Sequence, residues 1–177
     1  MLDIELDQTD EWNGEQDWQA LADKAVAAAF AVSSHGDLAK APFALSISIN
    51  LSSDYEVQAL NAQWRGKDKP TNVLSFPMLA PAELTALSNT DDGEVLLGDM
   101  ILARQTCATE SIEKGISLAD HVTHLIVHGT LHLLGLDHIE DAEAEHMEAL
   151  EVKALASLGL ANPYSDDCKP MEAAKPT

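Results

Sequence analysis

Residues 128–138 read His-Gly-Thr-Leu-His-Leu-Leu-Gly-Leu-Asp-His. His128 and His132 are four positions apart. On an α-helix of about 3.6 residues per turn, a four-residue step rotates about 40° and climbs roughly 6 Å, so both imidazoles leave one face and can grip one ion. Gly135 is predicted to end that helix, because glycine enters the left-handed region at little steric cost, and the turn carries His138 back toward the pair. Three neutral imidazoles suit a catalytic zinc site, whose fourth position stays open to water or substrate. The expected cofactor is one Zn2+ on His128, His132 and His138.

The spacing matches the metzincin peptidase signature, His-Glu-x-x-His-x-x-Gly-x-x-His. Gly129 departs from it. Where those peptidases carry a glutamate base this chain carries no side chain, although zinc alone brings a bound water to a pKa near ~7 and leaves other hydrolyses feasible.

Upstream, Ser117-Leu118-Ala119-Asp120 has the outline of a capping box, with Asp for the usual Glu or Gln, and predicts a helix to about Leu134. On it His121, His124, His128 and His132 fall within about 80° of arc, a histidine-lined wall. His124 reads either as a substrate contact or as a polar residue packed beside the site and bonded to backbone, and His121, farther away, as packing. Asp137 either holds an imidazole tautomer or serves the turn after Gly135. Residues 139–158 predict a last helix with Met147, Leu150, Val152, Leu155 and Leu158 among its apolar positions, a solvated acidic face and His146 on the surface. Beyond Gly159 a tail with three prolines is expected to be partly disordered, so the chain divides into one domain over residues 1–160 and a tail over 161–177.

Toward the N-terminus, Leu2, Ile4 and Leu6 alternate with acids, as in an edge strand. Residues 15–34 are alanine-rich with helical spacing, and Phe43, Leu45, Ile47, Ile49 and Leu51 alternate as in a strand. Ser52-Ser53-Asp54 offers N-cap chemistry for a helix over residues 55–64, with Val57, Leu60 and Trp64 facing inward. Val73, Leu74 and Phe76 predict a short strand that either ends at Pro77 or lies at an edge, residues 78–93 a long mobile loop with a helical turn near 81–87, and residues 94–103 a central strand. A helix over residues 104–114 then ends at Gly115.

The chain of 177 residues is 46% hydrophobic and suits one core. The acidic N-terminus lacks a signal peptide's basic and apolar regions, and no apolar run reaches the ~20 residues of a membrane span, so a soluble cytoplasmic protein with no membrane partner is expected. Cys107 and Cys168 read as free thiols. The formal charge of −20 opposes general binding to nucleic acid but permits a local site, because three of the ten basic residues lie in Arg65-Gly66-Lys67-Asp68-Lys69.

Taken together, Arg65-Gly66-Lys67-Asp68-Lys69-Pro70-Thr71-Asn72-Val73-Leu74-Ser75-Phe76-Pro77, Leu97-Gly98-Asp99 and the run from His128 to His138 resemble the YbeY family of bacterial metal-dependent endoribonucleases, which act in ribosomal RNA maturation and ribosome quality control. The similarity runs in order from Ile47 to Tyr164, and in that family Gly129 is the expected residue. Trp64 and Leu136 stand where members often have Tyr. The resemblance implies an α+β fold, a small mixed four-stranded sheet packed with about five helices and carrying a metzincin-like zinc-binding helix and turn. It implies zinc on His128, His132 and His138, and a part for Arg65 in activity within the cleft.

The expected function is a zinc-dependent endoribonuclease directed to single-stranded ribosomal RNA, in 16S rRNA 3′ end maturation, with ribosomal subunits and assembly proteins as partners. His128 and Arg65 would be catalytic; Arg65, Lys67, Lys69 and His124 would bind substrate. Two alternatives compete. A zinc peptidase would need Asp99, Asp137 or Glu94 as base, and a non-catalytic ribosome-assembly factor would hold structural zinc, which normally takes four protein ligands.

Overall fold

Alternation of large apolar residues with alanine and serine commits Ala44–Ser52 (β2) to a buried strand, and Phe43, Leu45, Ile47, Ile49 and Leu51 are all sealed in the core. The structure is a computed structural model that describes residues 1–89, 94–137 and 139–164. Leu2–Gln8 (β1), β2, Val73–Pro77 (β3) and Glu94–Ala103 (β4) form one sheet in the order β1-β2-β4-β3. β1 and β4 run parallel to β2, and β3 runs antiparallel to β4. The expected mixed α+β architecture, with β1 at an edge and β4 inside, is the one found, and both readings of Pro77 hold, since β3 ends there and lies at the other edge.

Six α-helices accompany the sheet among the described residues: Trp18–Val32 (α1), Asp54–Arg65 (α2), Pro81–Thr85 (α3), Arg104–Lys114 (α4), Leu118–Leu133 (α5) and Asp141–Ser157 (α6). The expected count was about five, and the addition is the short α3, where a single helical turn was predicted. Leu84 on α3 is 1% exposed, so this part of the predicted mobile loop is anchored in the core. The N-caps read from sequence hold: Ser53 Oγ accepts from Glu56 N (3.2 Å) and Ser117 Oγ from Asp120 N (3.1 Å). No described helix is long and apolar enough to cross a membrane.

Alternate residues of β3 and β4 serve two faces. Val73, Met100 and Leu102 join the main core with α1 and α5, whereas Leu74, Ile101 and Ala103 meet Val57 of α2 on the other side. Both helices begin at one end of the sheet: Asp54 accepts from Thr106 N and Oγ1 just past β4, and Asn72 and Glu110 link the start of β3 to His121 of α5. α5 descends its face until Leu133 meets Gly98, and α2 descends the other, where Leu60 and Phe76 close the smaller cluster. Arg65 ends α2 and His132 nearly ends α5, so both lie toward the same end of the sheet.

Gly98 permits that packing. A bulge at Leu97 shifts the β2–β4 register, and a Cβ on Gly98 would stand 2.6 Å from the Phe76 carbonyl oxygen and 2.7 Å from Leu133 Cδ2. Only a glycine lets β3 and the last turn of α5 approach so closely.

One inward assignment on α2 is corrected. Val57 is buried but Trp64 is 65% exposed. Seven residues bring Trp64 back to within about 20° of Val57 around the axis but about 10 Å farther along it, and the strand residues that cover Val57 no longer lie beneath. Cys107 is a free, buried thiol whose burial pushes its pKa well above the usual range; Cys168 lies outside the described residues.

Candidate functional site

α5 is the most deeply buried helix, and its C-terminus is shaped by backbone bonds. Gly135, at φ +94°, donates to the His132 carbonyl (2.9 Å) and Leu136 to the Leu131 carbonyl (3.1 Å), the paired bonds of a Schellman turn. The turn places the Leu136 carbonyl 2.9 Å from His132 Nδ1. A carbonyl only accepts, so Nδ1 carries the proton and Nε2 presents its lone pair.

His128 is oriented the same way by a different group. Its Nδ1 lies 2.9 Å from Oε2 of Glu151 on α6, and Nε2 of His128 stands 3.1 Å from Nε2 of His132. Two nitrogens bound to a tetrahedral ion at about 2.0–2.1 Å are separated by about 3.3 Å. With both Nδ1 protons committed, two lone pairs face each other at close to that distance, which favours a cation between them. The donor set therefore fits a divalent metal. His138, the third expected ligand, lies outside the described residues, and among the described residues no three His, Cys, Asp or Glu side chains group as a metal-holding set.

Glu151 was not foreseen: it was assigned to the solvated acidic face of α6, yet it is 1% exposed. Its Oε1 accepts from His124 Nε2 (2.6 Å) and from the Tyr164 hydroxyl (2.5 Å), while Oε2 accepts from His128. Burial alone would raise its pKa, but the hydrogen bonds from His124 and His128 outweigh that and hold the carboxyl well below the usual carboxylate range. Burial lowers the pKa of His124, and burial followed by the Glu151 charge raises that of Tyr164, so both remain neutral donors. The cluster then carries one buried negative charge beside two converging lone pairs, and a dication held there would offset the cost of burying that charge.

Of the two readings of His124, the packed one is found, with a carboxylate as partner in place of backbone. Its ring is buried, with its centroid 6.5 Å from that of His128. His121 is also packing: its Nε2 bonds Glu110 Oε1 (2.8 Å), and although burial would raise the Glu110 pKa, the bonds from His121 and Asn72 hold it below the ordinary value. His146 is exposed, as expected. Arg65, Lys67 and Lys69 are exposed at and just beyond the end of α2. Residues 161–164 are described and include buried Pro163 and the Tyr164 contact; residues 165–177 of the expected tail lie outside the described residues.

The structure also gives the reason for Gly129. A Cβ there would overlap Sδ of Met100, which is 0% exposed on β4, so the position that carries the base in metzincins is occupied by core. Of the other acids considered for a peptidase, Glu94 is engaged by Ser46 Oγ (2.9 Å).

Fold and site place the chain among α+β domains in which one long buried helix, braced by a carboxylate from its neighbour, presents paired imidazoles at the end of a mixed sheet. Within that class it belongs to the YbeY family. The family described as Endoribonuclease YbeY matches residues 3–159. Proteins named Endoribonuclease YbeY from Sphingopyxis alaskensis and Rhizorhabdus wittichii are 57% and 54% identical, over 94% and 93% of this chain and 99% and 98% of theirs. The solution structure of TM1509 from Thermotoga maritima aligns with a TM-score of 0.52 at 20% identity over 99% of each chain, a likeness of fold.

Proposed function

We propose that the chain is a metal-dependent endoribonuclease that cuts single-stranded segments of ribosomal RNA, acting in 16S rRNA 3′ end maturation and ribosome quality control with ribosomal subunits as partners. Membership in a family whose relatives carry the name endoribonuclease supports the reaction class. The single observation that carries the chemistry is the approach of His128 Nε2 and His132 Nε2 to 3.1 Å with both Nδ1 atoms held by acceptors. His128, His132 and His138 would hold one Zn2+, which supplies Lewis acidity and a lowered water pKa when bound.

The chain's own residues supply the rest. Glu151 keeps His128 in the tautomer that presents Nε2, and the Leu136 carbonyl does the same for His132. Arg65 is assigned the scissile phosphate, because a planar guanidinium matches two phosphoryl oxygens and opposes the charge that grows in the transition state. Lys67 and Lys69 are assigned neighbouring phosphates, which position the strand without reading its sequence.

The test is metal analysis joined to cleavage of ribosomal RNA, with and without chelator. Cleavage should disappear on chelation and return with zinc, and cleavage that ignores the chelator would overturn the reading. Arg65→Ala should keep its metal while turnover falls about 100-fold, the scale of removing one charge-stabilising donor. Loss of metal in that variant would show Arg65 to be misassigned.

A further inference from the structure

We propose that Trp64 is a stacking platform for one unpaired base of single-stranded RNA, with the adjoining phosphates taken by the basic turn that follows it; this rests on the endoribonuclease reading. The three tryptophans of the chain are not alike. Trp12 and Trp18 are buried and bond their indole N–H groups to the carbonyls of Ser52 (2.8 Å) and Trp12 (2.9 Å), whereas Trp64 leaves 65% of its surface in water. It lies on the last turn of α2, past the strand residues that cover Val57, at the sheet end toward which His132 also lies.

The turn beside it is built before any ligand arrives. Gly66 adopts the left-handed conformation at φ +69°, its N–H reaches the Ala62 carbonyl (3.2 Å), and Lys67 N reaches the Asn61 carbonyl (3.2 Å). The Asn61 amide, itself fully buried, donates to the Lys69 carbonyl (2.9 Å) and pins the far side of the turn. Asp68, the one acid in the segment, accepts from Gln58 Nε2 (3.1 Å) and is exposed, as are the three cationic side chains. A turn with a pinned backbone and three exposed cations against one exposed carboxylate, beside an open indole, has a charge complementary to a nucleotide strand.

Stacking also addresses a difficulty posed by composition. With a net charge of −20 the long-range field repels a polyanion, so attraction must come from short-range contacts. A base on an aromatic face supplies one, and it tolerates any sequence because every base has a π-face.

The probe is a 2′-O-methyl oligouridylate, which keeps bases and phosphates but resists cleavage, beside an abasic oligomer of equal length. Trp64→Ala should bind the oligouridylate about 10-fold more weakly than wild type, and Trp64→Phe should stay within about 3-fold, both with unchanged thermal midpoints. Wild-type fluorescence should be quenched by the oligouridylate and not by the abasic strand. Equal binding by Trp64→Ala, or equal quenching by the abasic strand, would overturn the platform. Quenching driven by protein concentration alone would assign this face to a second copy of the chain and also overturn it. Wild type that cleaves ribosomal RNA while Trp64→Ala binds normally sinks only the platform; wild type that neither binds nor cleaves sinks the enzyme reading with it.

Discussion

His132→Ala is expected to lose its metal and all RNA cleavage while keeping its fold. Removal of an outer partner of a metal-bound histidine already lowers affinity about 10–100-fold, and removal of a ligand should exceed that. What the fold loses is small. The Nδ1 bond to the Leu136 carbonyl, worth about 1 kcal/mol, disappears, but the turn is also held by the backbone bonds of Gly135 and Leu136. The 3.1 Å contact between Nε2 of His128 and Nε2 of His132 disappears with it. Chelator-treated wild type and His132→Ala should therefore unfold within about 1 kcal/mol of each other in denaturant titrations. Metal-loaded wild type should stand well above both, since a ligand that binds only the folded state stabilises it. Full cleavage by metal-free His132→Ala protein would end the metal-dependent reading.

The parts legible in the sequence were those that depend on local periodicity and caps. β2, β4 and α5 were predicted to within a residue or two because the alternation of β2, the apolar run of β4 and the N-cap of α5 are local signals. So were the turn at Gly135 and the edge placement of β1. Two errors share a different origin. Trp64 has the correct angle on α2 but the wrong axial position, and periodicity measures angle only; the extent of the sheet beneath a helix is a tertiary quantity. Glu151 was assigned to solvent because α6 carries many acids, yet it occupies the i+4 position of the buried stripe Met147, Glu151, Ala154 and Leu155. A charged residue on an apolar stripe was the available signal, and a row of histidines on another helix was its partner. Neither means much until the two helices pack. The basis for Gly129 was hidden in the same way, since Met100 fills its space from a strand 29 positions earlier.

Substitution of Glu151 should divide stability from metal binding, because the carboxylate accepts from three buried donors at once. Glu151→Leu removes the carboxylate that His124, His128 and Tyr164 share, and removal of one member of a buried charged network costs about 3–5 kcal/mol, a large fraction of a domain's stability. Glu151→Gln should retain the fold, but its single carbonyl oxygen can accept from His128 Nδ1 or from the His124 and Tyr164 side, not both, and it carries no charge. The hold on the His128 tautomer weakens, and zinc affinity should fall about 10–100-fold. The pH dependence provides a second readout. The native Glu151 carboxyl sits below its unfolded value of about 4.3, so its stabilisation is complete above that pH and is lost as pH falls through it toward the native pKa. In chelator-treated protein the stability gap between wild type and Glu151→Gln should accordingly hold above about pH 5 and narrow as pH falls from there to about pH 3, followed by denaturant midpoints. A gap that stays constant over that range, together with unchanged zinc affinity, would show that Glu151 is merely packed and does not orient His128.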